Sequence, residues 1–123
     1  MLRNYIFFLK DIQESCHKIQ RYTAGFTLET LTGDEMRLEA VVRNIEIIGE
    51  AVKHIPEEIK LNYPDVNWKS IRGMRNIIVH EYFGLDYDMI WSVIQEFIPK
   101  IETQINAILS CEIYPENSQI KSI

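Results

Sequence analysis

The chain is short of several things at once, and each shortage excludes a class of protein. Among its 123 residues are two cysteines, Cys16 and Cys111, far apart in sequence. Without a secretion signal they provide no disulfide framework and point to a reducing cytoplasm. The three histidines, His17, His54 and His80, stand at no spacing that suits metal ligation, so neither a metal nor another cofactor is expected. No apolar run approaches the roughly 20 residues that cross a bilayer. The first ten residues set Arg3, Asn4 and Lys10 around a short apolar cluster, without the long core and small-residue cleavage site of a signal peptide. An excess of basic charge is missing too. The formal net charge of −5 disfavours a non-specific nucleic-acid binder, so any RNA contact must be local or assisted by a partner.

What is present suits one globular domain: 46% hydrophobic and 25% charged residues, with no repeats or low-complexity tracts. Apolar residues recur at three- and four-residue steps in four long segments. The first spans about Asn4 to Tyr22, with Tyr5, Phe8, Leu9, Ile12, Cys16 and Ile19 inward and Lys10, Gln13, Lys18 and Gln20 outward. Gly25 suits the position just past its end, and Thr27 can open one short turn over Phe26 to Leu31. The second segment starts near Thr32, with Thr32 and Glu35 at capping-box spacing and Asp34 as the alternative cap. It continues through Leu38, Val42, Ile45, Ile48 and Val52 to about Ile55, where Pro56 can open a short helix over Glu57 to Asn62. The third runs from Trp68 to about Glu81. The fourth, capped by Asp86, buries Ile90, Val93, Ile94, Phe97, Ile101, Ile105 and Ile108 and continues to about Ser110, with a kink predicted at Pro99. With no alternating strand pattern, the expectation is an all-α, antiparallel bundle of four to five helices over residues 1–110, followed by a frayed tail over 111–123.

One stretch could carry chemistry. Arg72, Asn76 and His80 follow at i, i+4 steps and share a face of the third segment, while Arg75 lies about 140° around an ideal helix from His80. Histidine titrates near neutrality and can act as acid or base. Arginine keeps its charge and presents a planar fork matched to phosphate. Asn76 could orient His80 or bind a phosphate oxygen, and Tyr82 could stack on a base or donate a hydrogen bond. Spacing alone does not single out these residues, since surface or satisfied core residues show it often. His17 and His54 are expected to be ordinary surface or boundary residues, and Trp68 and Trp91 core anchors. Upstream, Arg43, Glu46 and Glu50 share a face of the second segment. Either they form a plain polar face with an Arg43–Glu46 pair, or they border the Arg75–His80 region and fix it. Gly49 lies on the apolar side, where it would allow close helix approach, within one chain or between two copies of it.

Two blocks in this order resemble a known family. Trp68 to Tyr82 reads W-x-x-I-x-G-M-R-N-x-x-x-H-E-Y, and Arg43 to Ala51 reads R-N-I-E-I-I-G-E-A. Together they are similar to the HepT-like toxins of the HEPN superfamily, a resemblance covering about Tyr5 to Leu109. It implies a HEPN-type helical bundle that forms a homodimer, and a metal-independent endoribonuclease acting by 2′-OH attack. It implies that Arg75 and His80 are catalytic and face a cleft between protomers, with Asn76, Arg72, Arg43 and Glu46 supporting. It further implies a minimal nucleotidyltransferase antitoxin of the MntA type that adenylylates Tyr82. The rival expectation is a non-catalytic helical module that binds such a nucleotidyltransferase, or a nucleotide, through the same face.

Overall fold

The computed structural model of the chain describes residues 3–80 and 86–114; for residues 3, 4 and 77–80 it describes the backbone alone. The described residues are helical without any strand. In order they form α1 (Arg3–Thr23), α2 (Leu28–Thr32), α3 (Glu35–Lys53), α4 (Glu57–Asn62), α5 (Trp68–His80), α6 (Tyr87–Ser92), a π-helical turn (Val93–Phe97) and α7 (Ile98–Ile113). Helix α1 packs against both α3 and α7, and α3 packs in turn against α5. The seam is made largely by the predicted stripes: Leu9, Ile12, Cys16 and Ile19 of α1 are fully buried, as are Ile48 and Val52 of α3, where Val41 takes the interior and the predicted Val42 is only partly buried. Each such Leu, Ile or Val contributes about 1.5–3 kcal/mol, against about 0–1 kcal/mol for an exposed ion pair. Apolar burial therefore holds the bundle together.

The helix ends follow local chemistry. Gly25 takes a φ of +79°, the left-handed region that suits glycine past a helix end. Thr27 opens α2 through a reciprocal box: its hydroxyl accepts from the Thr30 N–H at 3.1 Å, and the Thr30 hydroxyl accepts from the Thr27 N–H at 2.8 Å. Thr32, offered as a cap for the next helix, instead ends α2. Asp34 is the cap, its carboxylate accepting from the Arg37 N–H at 3.1 Å. Helix α3 stops at Lys53, short of Ile55, and Pro56 precedes α4 as expected.

Three expectations are corrected. The disturbance predicted at Pro99 takes the form of a π turn just before it. Proline has no N–H to bond the carbonyl four residues back and its ring crowds that carbonyl; the wider turn, in which the Ile98 N–H bonds the Val93 carbonyl, relieves both problems. At that turn the inward residue also differs from the predicted one, while Ile101, Ile105 and Ile108 beyond it are buried as predicted. Phe97, assigned to the core by its spacing, is 48% exposed, and Ile98 takes the interior at 0%. Finally, the tail does not fray at residue 111, for Cys111, Glu112 and Ile113 complete α7. The Glu112 carboxylate accepts from the Tyr5 hydroxyl at 2.7 Å and the Tyr63 hydroxyl at 2.6 Å, tying α1 and the α4–α5 connection to the end of α7. Burial, reinforced by these bonds to an anion, pushes the Tyr5 hydroxyl up to about 12 and raises Tyr63 as well. The outward glutamines of α1 are also engaged: Gln13 donates to Asn106 and Gln20 to Glu102, each at 2.7 Å.

Candidate functional site

The site is organised by α5. Its first turn is fixed by the Asn67 side chain, which accepts from the Ser70 N–H at 3.0 Å, and by Trp68, whose indole N–H donates to the Tyr63 carbonyl at 3.1 Å. Trp68 is buried, as expected of a core anchor, and Trp91 packs at the core margin. Ile71 and Met74 supply the inward stripe. The side chains of Ile77, Ile78 and His80, and all of Tyr82, lie outside the described residues, so the geometry of the proposed His80 and Tyr82 roles rests on sequence. His80 is the last described residue of α5.

Gly49 is the fulcrum of the α3–α5 packing. A Cβ built on it would stand 2.7 Å from the Arg75 Cβ, and 3.3 Å from both the Arg72 carbonyl and the Arg75 nitrogen. Only a residue without a side chain permits this approach, which here joins α3 to α5 of one chain. The neighbouring residue uses it: a Glu50 carboxylate oxygen lies 2.8 Å from the Arg75 Nε, and Lys53 stands 3.7 Å from the same carboxylate. Arg75 is half exposed. Its Nε faces Glu50, while the two terminal nitrogens form the fork that can grip a phosphate.

The remaining candidates divide. Arg72 and Asn76 are exposed on the outer face of α5. Arg43 is exposed and Glu46 half-buried on α3, and neither pairs with the other or with another described residue. By helical spacing Arg43, Glu46 and Glu50 share a face, expected either to be plainly polar or to fix the Arg75–His80 region, and Glu50 is the one that reaches Arg75. Spacing offers the face; the packing of α3 on α5 selects Glu50 from it. On another side of α5 lies a groove of about 520 Å³, with Met74, Met89, Val93 and Ile101 on its walls and Phe97 at its margin.

Other reactive groups are poor candidates. Burial, with Glu102 nearby, pushes the Cys16 thiol up to about 12, which keeps it protonated and inert. His54 stacks on Phe8 with ring centroids 4.5 Å apart, and His17 is an exposed residue of α1. No helix among the described residues is long and apolar enough to cross a membrane.

Comparison with known proteins gives the site its context. Residues 12–108 match the model of a family described as Ribonuclease HepT-like. The chain is 40% identical over 105 residues to "Putative RNase TTE0752" of Caldanaerobacter subterraneus subsp. tengcongensis, covering 85% of this chain and 94% of that one. It is 37% identical over 101 residues to "Putative RNase MJ1380" of Methanocaldococcus jannaschii, covering 82% and 93%. It is 35% identical over 102 residues to "Probable ribonuclease HepT" of Thermococcus cleftensis, covering 83% and 93%. No solved structure matches.

Proposed function

From the premise that this chain belongs to the HepT-like family of the HEPN superfamily, we propose that it is the ribonuclease toxin of a toxin–antitoxin pair, with Arg75 and His80 at its catalytic centre. The observation that carries the reading is the Arg75 guanidinium, set on α5 by the Gly49 contact and steered through its Nε by Glu50. The fork left over can bind the phosphate to be cleaved and offset the charge that builds up on the phosphorane.

The chemistry needs no metal. Imidazole at His80 takes the proton of a ribose 2′-OH, and that oxygen attacks the adjacent phosphorus. The bond to the 5′-oxygen breaks, an imidazolium returns a proton to it, and the products are a 2′,3′-cyclic phosphate and a 5′-hydroxyl. Asn76, one turn before His80, assists by orienting the ring or holding a phosphate oxygen. Arg72, Arg43 and Glu46 complete the polar surroundings. Two copies would supply two histidines to one cleft, so base and acid can be different side chains. The groove beside α5, with Phe97 and Met89 half exposed, is an apolar face that a second copy of the chain would cover.

Regulation follows from Tyr82, two residues after His80. We assign it as the acceptor of AMP from a minimal nucleotidyltransferase antitoxin: the phenol oxygen attacks the α-phosphorus of ATP and pyrophosphate leaves. The adduct adds bulk and negative charge within the motif that holds the phosphate-binding arginine, which opposes RNA binding. The net charge of −5 favours, as the second reading, a docking module without catalysis. The two are separated by assaying purified, unmodified protein on RNA in EDTA. Cleavage that His80→Ala abolishes, with helical content unchanged, supports the toxin; equal activity of wild type and variant would sink it.

A further inference from the structure

A second feature of α5 is not explained by the catalytic pair. Helix α4, the chain that follows it and the start of α5 enclose a pocket of about 390 Å³. Lys60 of α4 and Lys69 and Arg72 of α5 line it, over a floor that includes Val66 and Trp68. Glu57 is its acidic residue. Three cations gather here in a chain whose net charge is −5. None of the three forms an ion pair among the described residues, as is also true of Lys10, Arg21, Arg43 and Lys100; what sets these three apart is that they line one pocket. Like charges brought together without partners repel one another, and an anion bound among them removes that cost.

We propose that this pocket is a docking subsite for single-stranded RNA that flanks the cleaved bond, its phosphates held by Lys60, Lys69 and Arg72. The proposal rests on the ribonuclease reading above. Lys69, Arg72 and Asn76 are spaced i, i+3, i+7, so they form one stripe along the outer face of α5. The stripe leads from the pocket toward the end of the helix that carries the motif. From residue 69 to residue 80 the helix rises about 16 Å, enough for several nucleotides of extended strand. The floor is preorganised: Trp68 is buried and its N–H is satisfied by the Tyr63 carbonyl, so only an apolar margin of the ring meets the pocket and it asks for no polar partner. A pocket that combines three unpaired cations with such a floor suits a phosphodiester chain better than an acidic peptide. It also resolves the charge problem, since a local basic stripe allows RNA contact by an acidic protein.

The test uses the whole chain and the double variant Lys60→Gln/Lys69→Gln, which spares Arg75, Asn76 and His80. Two substrates are compared, a dinucleotide and an octanucleotide, across a range of salt concentrations. For the octanucleotide the variant is expected to raise KM about tenfold. It should also flatten the salt dependence of log affinity by about 1.4, at roughly 0.7 per lost phosphate contact. Cleavage of the dinucleotide, too short to reach the pocket, stays at the wild-type rate. Wild-type KM and salt slope in the variant, alongside normal wild-type cleavage, overturn the subsite and leave the ribonuclease reading standing. If the wild type cleaves neither substrate, the ribonuclease reading falls; the subsite is then judged by anisotropy of the labelled octanucleotide, with the same loss expected. A variant that binds RNA normally but no longer captures a nucleotidyltransferase would make the pocket a protein-docking face, which also overturns the proposal.

Discussion

Two polar constellations in this molecule use similar side chains to opposite ends. At the end of α7, the Glu112 carboxylate is held by two tyrosine hydroxyls, at 2.7 and 2.6 Å, and its bonding links three parts of the chain. At the α3–α5 seam, Glu50 meets Arg75 at 2.8 Å, with both side chains near 40% exposed. The first carboxylate is satisfied by neutral donors whose rings pack at the core margin. The second touches a cation on one edge and leaves the rest of that cation to solvent. A closed network adds stability, and an open one holds a charge in readiness. The difference teaches that partner type and exposure, more than the presence of charged residues, separate scaffold from site.

The sharpest way to break the comparison is at the glycine beneath the open pair. Gly49→Ala places a methyl 2.7 Å from the Arg75 Cβ and 3.3 Å from the Arg72 carbonyl, and none of these is the far end of a flexible side chain. Helix α5 has to shift. The expected cost is about 1–3 kcal/mol of stability by urea denaturation, with a loss of RNA cleavage of about tenfold or more as Arg75 moves off its phosphate. Full activity in this variant would remove Gly49 from the account.

Glu112→Gln tests the closed network. It should cost about 1–2 kcal/mol, since both hydrogen bonds to the anion weaken, and leave the specific activity of the folded protein unchanged. The tyrosines add a pH signature. Their hydroxyls lose protons less readily in the folded chain, Tyr5 at about 12 against an ordinary value of 10.0. The unfolded chain therefore releases protons first as pH rises. The stabilisation is fully present below pH 10 and is lost as pH climbs toward 12. Thermal unfolding followed across that window should show a steeper decline in the wild type than in Tyr5→Phe; parallel curves would contradict the clamp.

The smallest effect on stability is expected from Glu50→Gln, within about 1 kcal/mol as for other exposed pairs. Its signature is kinetic. Cleavage efficiency should fall several-fold, and Glu50→Asp, which keeps the charge on a shorter arm, should recover less than the full rate. An increase in activity would mean that Glu50 competes with RNA for Arg75 and does not position it.

Much of this was legible from periodicity. The stripes of α1 and α3, the Asp86 cap, the short α2 and α4 and the glycine after α1 follow from residue spacing and turn chemistry. The errors have a local and a long-range cause. Spacing carried through Pro99 puts Phe97 inward; at the π turn Ile98 takes that place, while Ile101, Ile105 and Ile108 stay buried as predicted. The end of α7 was set too early because Glu112 gains its helical place from Tyr5 and Tyr63, partners 107 and 49 residues away. At the site, Arg75 and a helix face able to fix it are legible in the sequence; which of Arg43, Glu46 and Glu50 reaches Arg75 is a tertiary fact. Gly49 was recognised as a point of close approach, but which helix approached was a tertiary fact. The family match rests on residues 12–108 taken together, not on any single spacing.

The most direct trial of the account is the fate of one RNA strand whose scissile nucleotide lacks its 2′-hydroxyl, incubated with unmodified protein in the presence of a chelator. The attack described here predicts that the all-ribose strand is cut to a cyclic phosphate and a 5′-hydroxyl, and that the deoxy-substituted strand survives at that position. Equal cutting of both strands would contradict it, because the nucleophile would then have to come from somewhere other than the ribose.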